Sequence, residues 1–408
     1  MASDKHEIDR RTFLKTTGLA GASLALSTGM AAKTLAEKIS KDGSPEKTSM
    51  PTRILGKTGV PVSILSLGGI DFTSNQILLR MAFKMGVTYW DTAHNYENGK
   101  SEIGIGEYFQ KYPEERKQIF LVTKASGKDD PEGMSQRLAL SLERMKTDYI
   151  DGYFVHNATS PKQLSPEIKT WAEQQKKNGK IKFFGFSTHG NMAKMLMHAS
   201  TLGWIDVIMS TYNYHIMLQD EMKAAIEACA KANIGLVAMK TQGAPLKMID
   251  SSKELSVTES FMSQGFTLEQ AKLKAVWQDE RITACCSKMK NITMLKDNVA
   301  AACNTQKIAG RDLYQLSMLS QDTSGFYCQA CMKCEKAMGK ETRIPDILRY
   351  MIYFNSYCER DNARSLFETL PHHIKSNIEV NDYTPAERVC PNQIQIGKWM
   401  KEAVLLLS

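Results

Sequence analysis

No cysteine precedes Cys229 in this chain of 408 residues. That excludes a lipid-anchored cysteine near the N-terminus. No run of lysine and arginine marks a nucleic-acid surface: the net charge of +8 is diffuse and reads as ordinary solvated surface. The one apolar stretch near the N-terminus is too short and too weakly apolar to make a stable membrane span. No Gly-x-Gly-x-x-Gly follows the first strand-like run, which weighs against an open doubly wound sheet. No flavin motif is visible. What is present is a globular composition, 42% hydrophobic and 24% charged, in a length that suits one large barrel and an appendage.

The N-terminus departs from that composition. Asp9-Arg10-Arg11-Thr12-Phe13-Leu14-Lys15 precedes a stretch rich in Gly, Ala and Ser, which gives a charged start, a modest apolar middle and a small-residue exit. The arginine pair followed by Phe13, Leu14 and Lys15 resembles a twin-arginine export signal, an address read by a receptor. The competing reading is an amphipathic helix. Residues 1–32 are expected to be the signal, 33–50 a polar linker, and the export machinery a partner. The resemblance implies a periplasmic destination and a protein that folds, with any cofactor inserted, before export.

From Pro51 to about Asn304, short apolar runs alternate with amphipathic helical stretches. Eight runs are strand-like: SILSLGG, VTYWDTA, IFLVTKA, YIDGYFVH, IKFFGFST, IDVIMSTYN, IGLVAMKT and ITACCSK. Each is nearly continuously apolar, as a parallel strand covered on both faces should be. Eight such units in about 250 residues predict a closed (β/α)8 TIM barrel over residues 51–315. RILGKTGVPVS predicts a hairpin that closes the barrel floor. A long irregular segment is expected between Thr241 and Phe266, over the catalytic face. Residues 320–408 are expected to form a small α-helical module.

Polar residues at the C-terminal ends of barrel strands point into an active site. The second, third and fourth runs end in Asp91, Lys124 and His156, 33 and 32 residues apart, and Tyr96 follows Asp91 by five. The set is chemically coherent. A lysine cation favours the phenolate of a neighbouring tyrosine, a carboxylate balances a buried lysine, and histidine can orient a substrate oxygen. Singly, each residue could as well be a cap, a core histidine or a surface charge.

With GVTYWDTAHNYENGKSEIGIGEYF, VTK, SLERMKTDYIDGYFVHN, KIKFFGFSTHG and TYNYH in order, residues 52–304 resemble the aldo-keto reductases. The resemblance implies a catalytic tetrad of Asp91, Tyr96, Lys124 and His156, a small carbonyl or alcohol substrate, and hydride exchange with NADP(H) while the tyrosine moves a proton. It implies cofactor contacts at Ser187, Thr188, Lys288, Lys290 and Asn298. The cradle departs from the family pattern at Thr188, at Met209 in place of a glutamine, and at Lys288 in place of a glycine. Lys288 and Lys290 could still attract phosphate as point charges. GFSTH together with a cysteine-rich tail resembles the branch that carries a ferredoxin-like C-terminal domain.

That tail contains Cys328, Cys331 and Cys334, with Met338 where a fourth cysteine would complete the run. In two-cluster ferredoxins the last cysteine of each run ligates the other cluster. Cys390-Pro391 resembles the end of the second run, whose earlier cysteines would fall on Val380, Tyr383 and Ala386. The missing ligands all belong to one cluster, and the retained four complete the other. One [4Fe–4S] cluster at Cys328, Cys331, Cys334 and Cys390 is the expectation, with a structural zinc or disulfides as alternatives. Cys358 is expected on a helix, and Cys229, Cys285, Cys286 and Cys303 in the core.

The leading expectation is thus an exported carbonyl/alcohol oxidoreductase, with a redox partner possible for its cluster. Two others remain open: a non-redox acid–base enzyme on the same site, and an electron-transfer or structural iron–sulfur protein whose barrel has lost catalysis.

Overall fold

Runs that are apolar on both faces need cover on both, and eight of them close here into a cylinder jacketed by helices. The computed structural model describes residues 50–69, 73–126, 130–243 and 251–408, with 251–254 by backbone alone. The export-signal reading of residues 1–32 and the linker up to residue 49 lie outside the described residues. Residues 50–408 form one compact unit.

An antiparallel hairpin comes first, β1 (Thr52–Ile54) and β2 (Pro61–Ser63). The barrel follows: β3 (Leu65–Gly68), β4 (Tyr89–Asp91), β5 (Phe120–Ala125), β6 (Ile150–Val155), β7 (Ile181–Thr188), β8 (Val207–Thr211), β9 (Gly235–Met239) and β10 (Ala284–Ser287). These strands are parallel in chain order, and β10 pairs with β3 to close the ring. All eight expected runs are strands of the barrel, so the (β/α)8 expectation holds.

The two-residue period of a strand decides which side chains enter the cylinder. Tyr89, Phe120, Val122, Phe154, Val207, Met209, Val237, Ala284 and Cys286 pack together inside it. Their neighbours Trp90, Leu121, Tyr153, Val155, Ile208, Leu236 and Cys285 belong to the outer cluster beneath the helices. Continuing the inward parity to the strand ends reaches Asp91, Lys124, His156, Ser187, Thr211, Met239 and Lys288. One alternation therefore fills the core and delivers seven side chains to the upper mouth.

The hairpin closes the floor, as expected. Leu55 and Val62 join the interior cluster, and Leu55 is fully buried. Gly235, where β9 starts, makes room for it, because a Cβ there would stand 2.7 Å from the Leu55 side chain.

Two expectations need correction. The segment after β9 is not irregular throughout: Gly243 ends a turn, residues 244–250 lie outside the description, and Ser251–Met262 is a helix. Hydrophobic residues at Leu255, Val257, Phe261 and Met262, with no proline in that stretch, explain it. Cys358 is not on a helix. It is exposed, with φ of +55°, just past the helix Ile344–Asn355.

The C-terminal residues are helical. Helices Lys333–Met338, Ile344–Asn355, Arg360–Glu368, Thr384–Arg388 and Ile396–Leu407 surround their own apolar cluster. Pro345 sits in the first turn of its helix, where its missing N–H costs nothing. Tyr383 and Ala386 are buried in this cluster and Met338 packs against it, whereas Val380 is exposed. Apolar packing thus occupies three of the four positions at which a second cluster would need thiolates.

Candidate active site

Asp91, Lys124 and His156 end three adjacent strands, β4, β5 and β6, and inward parity gathers them. Lys124 is 1% exposed and Asp91 3%. Lys124 Nζ donates to Asp91 Oδ2 at 2.6 Å and to the Thr92 carbonyl at 2.7 Å. A buried ammonium without such partners would cost several kcal/mol. Burial lowers the Lys124 pKa, but Asp91 and Tyr96 outweigh it and the group stays a cation. Tyr96 comes from the loop after β4. Its ring centroid lies 5.0 Å from Lys124 Nζ and 5.6 Å from the His156 imidazole, edge to face. The four residues implied by the resemblance are therefore together.

The electrostatics differ from the sequence-based expectation in one respect. Lys124 does favour the Tyr96 phenolate, but burial is stronger and pushes the phenol up to about 12. Tyr96 is a protonated donor at neutral pH. Burial, with the charges of Lys124 and Arg349 nearby, holds His156 well below its ordinary value, so it is a neutral imidazole. Ser126 Oγ stands 2.5 Å from His156 Nδ1, which leaves Nε2 for another partner.

A buried network holds the tyrosine loop. Thr123, next to Lys124 on β5, donates to Glu102 at 2.7 Å. Arg144 donates to the same carboxylate at 3.2 Å and to the His94 carbonyl at 2.8 Å. Gly99 has φ of +91°, and a Cβ there would fall 2.4 Å from the Arg144 guanidinium carbon. Glu97 and Asn98 also take left-handed backbone conformations, a strain that a rigid frame must support. Arg144, Glu102 and Ser126 escaped the sequence reading, because nothing about them is unusual until the fold brings them to Tyr96.

The expected cofactor cradle is distributed as follows. Ser187 Oγ accepts from the Asn157 backbone N–H at 3.0 Å. Thr188 is buried and donates to the Gly190 carbonyl. Met209 is an interior core residue. Asn298 donates to Ser287 Oγ at 3.0 Å. Lys288 and Lys290 do converge, at 2.7 and 3.2 Å, on Glu359 from the C-terminal module. Their charge suits a phosphate, and Glu359, whose pKa these lysines hold low against burial, stands as an internal anion on the same pair.

The tail also reaches the mouth elsewhere. Tyr327 stacks on His215 at 4.0 Å and accepts from Asn213 Nδ2. Tyr353 accepts from Lys240 Nζ at 2.7 Å, and Tyr357 donates to the Gly243 carbonyl.

Cys328, Cys331, Cys334 and Cys390 line one cavity of about 340 Å³ that is partly open to solvent. Ala330 and Met332, between the first three, have φ of +51° and +64°, and the Ala330 N–H points at Cys328 Sγ at 3.4 Å. The chain thus wraps the cavity and presents backbone to sulfur. Burial raises the Cys328 thiol, and the other three thiols raise it further. A metal core would reverse that preference. All nine cysteines are free thiols, so the disulfide alternative is not realised. Among the described residues no His, Cys, Asp or Glu group is gathered closely enough to hold a single metal ion. A [4Fe–4S] cluster binds each thiolate to a different iron, so its four ligands need one cavity rather than one point. Four thiols on one cavity are the type of donor set that such a cluster uses.

Residues 63–258 match the family model described as the Aldo/keto reductase family. The uncharacterized oxidoreductase YqkF of Bacillus subtilis (strain 168) is 23% identical over 304 residues, which are 65% of this chain and 95% of that protein. The NADP(+) aldo-keto reductase yakc of Schizosaccharomyces pombe is 28% identical over 211 residues, 46% of this chain and 60% of yakc. A solved aldo/keto reductase from Klebsiella pneumoniae, in complex with NADP and acetate, superposes with a TM-score of 0.55 at 20% identity. It covers 65% of this chain and 94% of its own. The family match thus lies within residues 63–258, and the solved structure, at 20% identity, shows the same barrel fold.

Proposed function

We propose that the protein interconverts a carbonyl and an alcohol, with Tyr96 as the proton donor in reduction and acceptor in oxidation. The observation that carries this reading is the buried contact of Lys124 with Asp91 beneath Tyr96 and His156. Asp91 keeps Lys124 charged. Lys124 stabilises the phenolate left once the proton has gone, and Tyr96 itself enters the reaction protonated. Neutral His156 offers Nε2 to the substrate oxygen and orients the carbonyl towards the phenol.

NADP(H) is the proposed cofactor, from the relatives whose names include it. When bound, it would supply or accept the hydride. Ser187 and Asn298 are the polar side chains available to hold it, and Lys288 with Lys290 would take its phosphate in place of Glu359. The pairing of Glu359 with both lysines is the specific observation behind a second reading, in which the same four residues do acid–base chemistry without nicotinamide.

The tail is proposed to hold one [4Fe–4S] cluster on Cys328, Cys331, Cys334 and Cys390. Their shared cavity and the wrapped loop between the first three support it. Export by the twin-arginine route to the periplasm is proposed from the Arg10–Arg11 motif alone. A redox partner for the cluster belongs to the same proposal.

The test is NADPH oxidation by the full chain in the presence of small aldehydes. Tyr96→Phe is expected to lower turnover by about 100-fold or more, the usual contribution of a positioned acid, with circular dichroism unchanged. Unaltered turnover would remove Tyr96 from the mechanism.

A further inference from the structure

A cleft distinct from the four-cysteine cavity lies where the ends of β7, β8 and β9 meet the helix Ile344–Asn355. It is a space of about 450 Å³, partly open to solvent, and its walls include His189, Thr211, Lys240, Arg349 and Tyr353. Two of its lining residues are permanent or near-permanent cations, Lys240 and Arg349, and none is a carboxylate. Cations around a partly closed space need anions, and the cleft supplies too few of its own.

The pairing of each cation shows the shortfall. Arg349 donates one N–H to Asp346 Oδ1 at 2.7 Å, and Asp346 also accepts from Arg343 through its other oxygen. Asp346 thus serves two guanidinium groups, although Arg343 also has Glu341 at 3.6 Å. Lys240 has no carboxylate within ion-pair distance among the described residues. Its ammonium donates to the Tyr353 hydroxyl at 2.7 Å and lies 4.3 Å from that ring's centroid.

Lys240 is also held in place at a cost. It takes a left-handed backbone conformation, φ of +55°, immediately after β9. A lysine pays roughly 1 to 3 kcal/mol for that conformation. Its carbonyl accepts from Asn213 Nδ2 at 2.9 Å and from the Gly243 N–H, which locks the turn. A strained residue that aims a cation into a cleft without acids marks a functional position.

We propose that this cleft binds the oxyanion group of a small molecule, a carboxylate or a phosphate ester, through Lys240 and Arg349 with the Tyr353 hydroxyl beside them. This deepens the carbonyl/alcohol reading and rests on it for the anion's role as part of the substrate. His189 supports the connection: it lines the cleft, and its backbone N–H donates to Oδ1 of Asn157, the residue after His156, at 3.3 Å. A substrate with its carbonyl at Tyr96 and His156 would extend its anionic end towards Arg349. The proposed catalytic residues Asp91, Tyr96, Lys124 and His156 do not line the cleft.

The test is isothermal titration of the full-length protein with two redox-inert probes, oxalate and inorganic phosphate, separately. At least one is expected to bind. K240M and R349M are expected to weaken it by about 10- to 100-fold, the loss of one charge-assisted contact, while K117M, at an exposed lysine outside the cleft, binds it as the native protein does. Preference for oxalate assigns a carboxylate, and preference for phosphate a phosphate ester. K240M is the decisive variant, since Arg349 also pairs with Asp346, and near-ultraviolet circular dichroism checks that each variant is folded. No binding of either probe tighter than about 10 mM, or equal affinity in folded K240M, overturns the proposal. Failure of the catalytic reading is seen separately, as carbonyl turnover that is absent or unaffected by Y96F, whatever the titrations show.

Discussion

At the scale of single residues, burial decides the protonation of the proposed acid–base group: it opposes the Lys124 charge at Tyr96 and acts with it at His156. Burial raises Tyr96 to about 12 and depresses His156 well below its ordinary value. A reduction that uses protonated Tyr96 and neutral His156 keeps both in the required form from about pH 6 to about pH 9. The kcat/KM for carbonyl reduction is therefore expected to show no inflection from either group across that range. A steady-state pH profile with a break near neutrality that disappears in His156→Gln would contradict the assignment. The strand-end positions of Asp91, Lys124 and His156 were legible in the sequence. The raised phenol was not, because the sequence shows the lysine neighbour but not the desolvation that outweighs it.

At the scale of elements, the C-terminal segments touch the barrel through a few defined contacts. His215, after β8, stacks on Tyr327 and faces Ser320 Oγ at 3.2 Å. Burial, helped by the charge of Lys272, lowers its pKa to about 3. In the unfolded chain it would titrate near 6.5. The folded state then binds fewer protons, so stability falls as pH drops below about 6.5 and goes on falling to about 3. At pH 5 this residue alone removes about 2 kcal/mol. Calorimetry should show the thermal midpoint dropping between pH 7 and pH 5, and dropping less in His215→Gln. A second contact concerns the cofactor. Because Glu359 pairs with Lys288 and Lys290, Glu359→Gln is expected to tighten NADPH binding several-fold. Fluorescence titration measures it, and unchanged or weaker affinity would mean that the two lysines do not receive the phosphate. No periodicity or motif announced either contact, since both join residues at least 69 positions apart.

At the scale of the whole molecule, residues 50–408 behave as one unit, although the apolar clusters of barrel and tail are distinct. Tyr327 and Ile352 of the tail nonetheless belong to the barrel's outer cluster. Cys328 lines both the four-cysteine cavity and the oxyanion cleft, so the tail's site and the barrel's mouth share a wall. Protein purified without oxygen is expected to contain iron and acid-labile sulfide in equal amounts. Cys390→Ser should lose most of both and lower the thermal midpoint, because the tail's cavity would be left lined by unmetallated thiols. Iron retained in full by that variant, or zinc in place of iron in the native protein, would overturn the cluster.

The sequence by itself determined the barrel, its hairpin floor and the strand-end places of Asp91, Lys124 and His156, through apolar runs repeated eight times with polar residues at their ends. Tyr96 as their companion and the four cysteines as one set came from resemblance to known families. Only the tertiary structure decided how the tail meets the mouth. The Glu359 pairing with two lysines, the His215–Tyr327 stack and the cation-lined cleft at Lys240 and Arg349 depend on desolvation and on contacts between distant segments. A linear chain does not display those quantities, because water is excluded and charges meet only once the surfaces have closed.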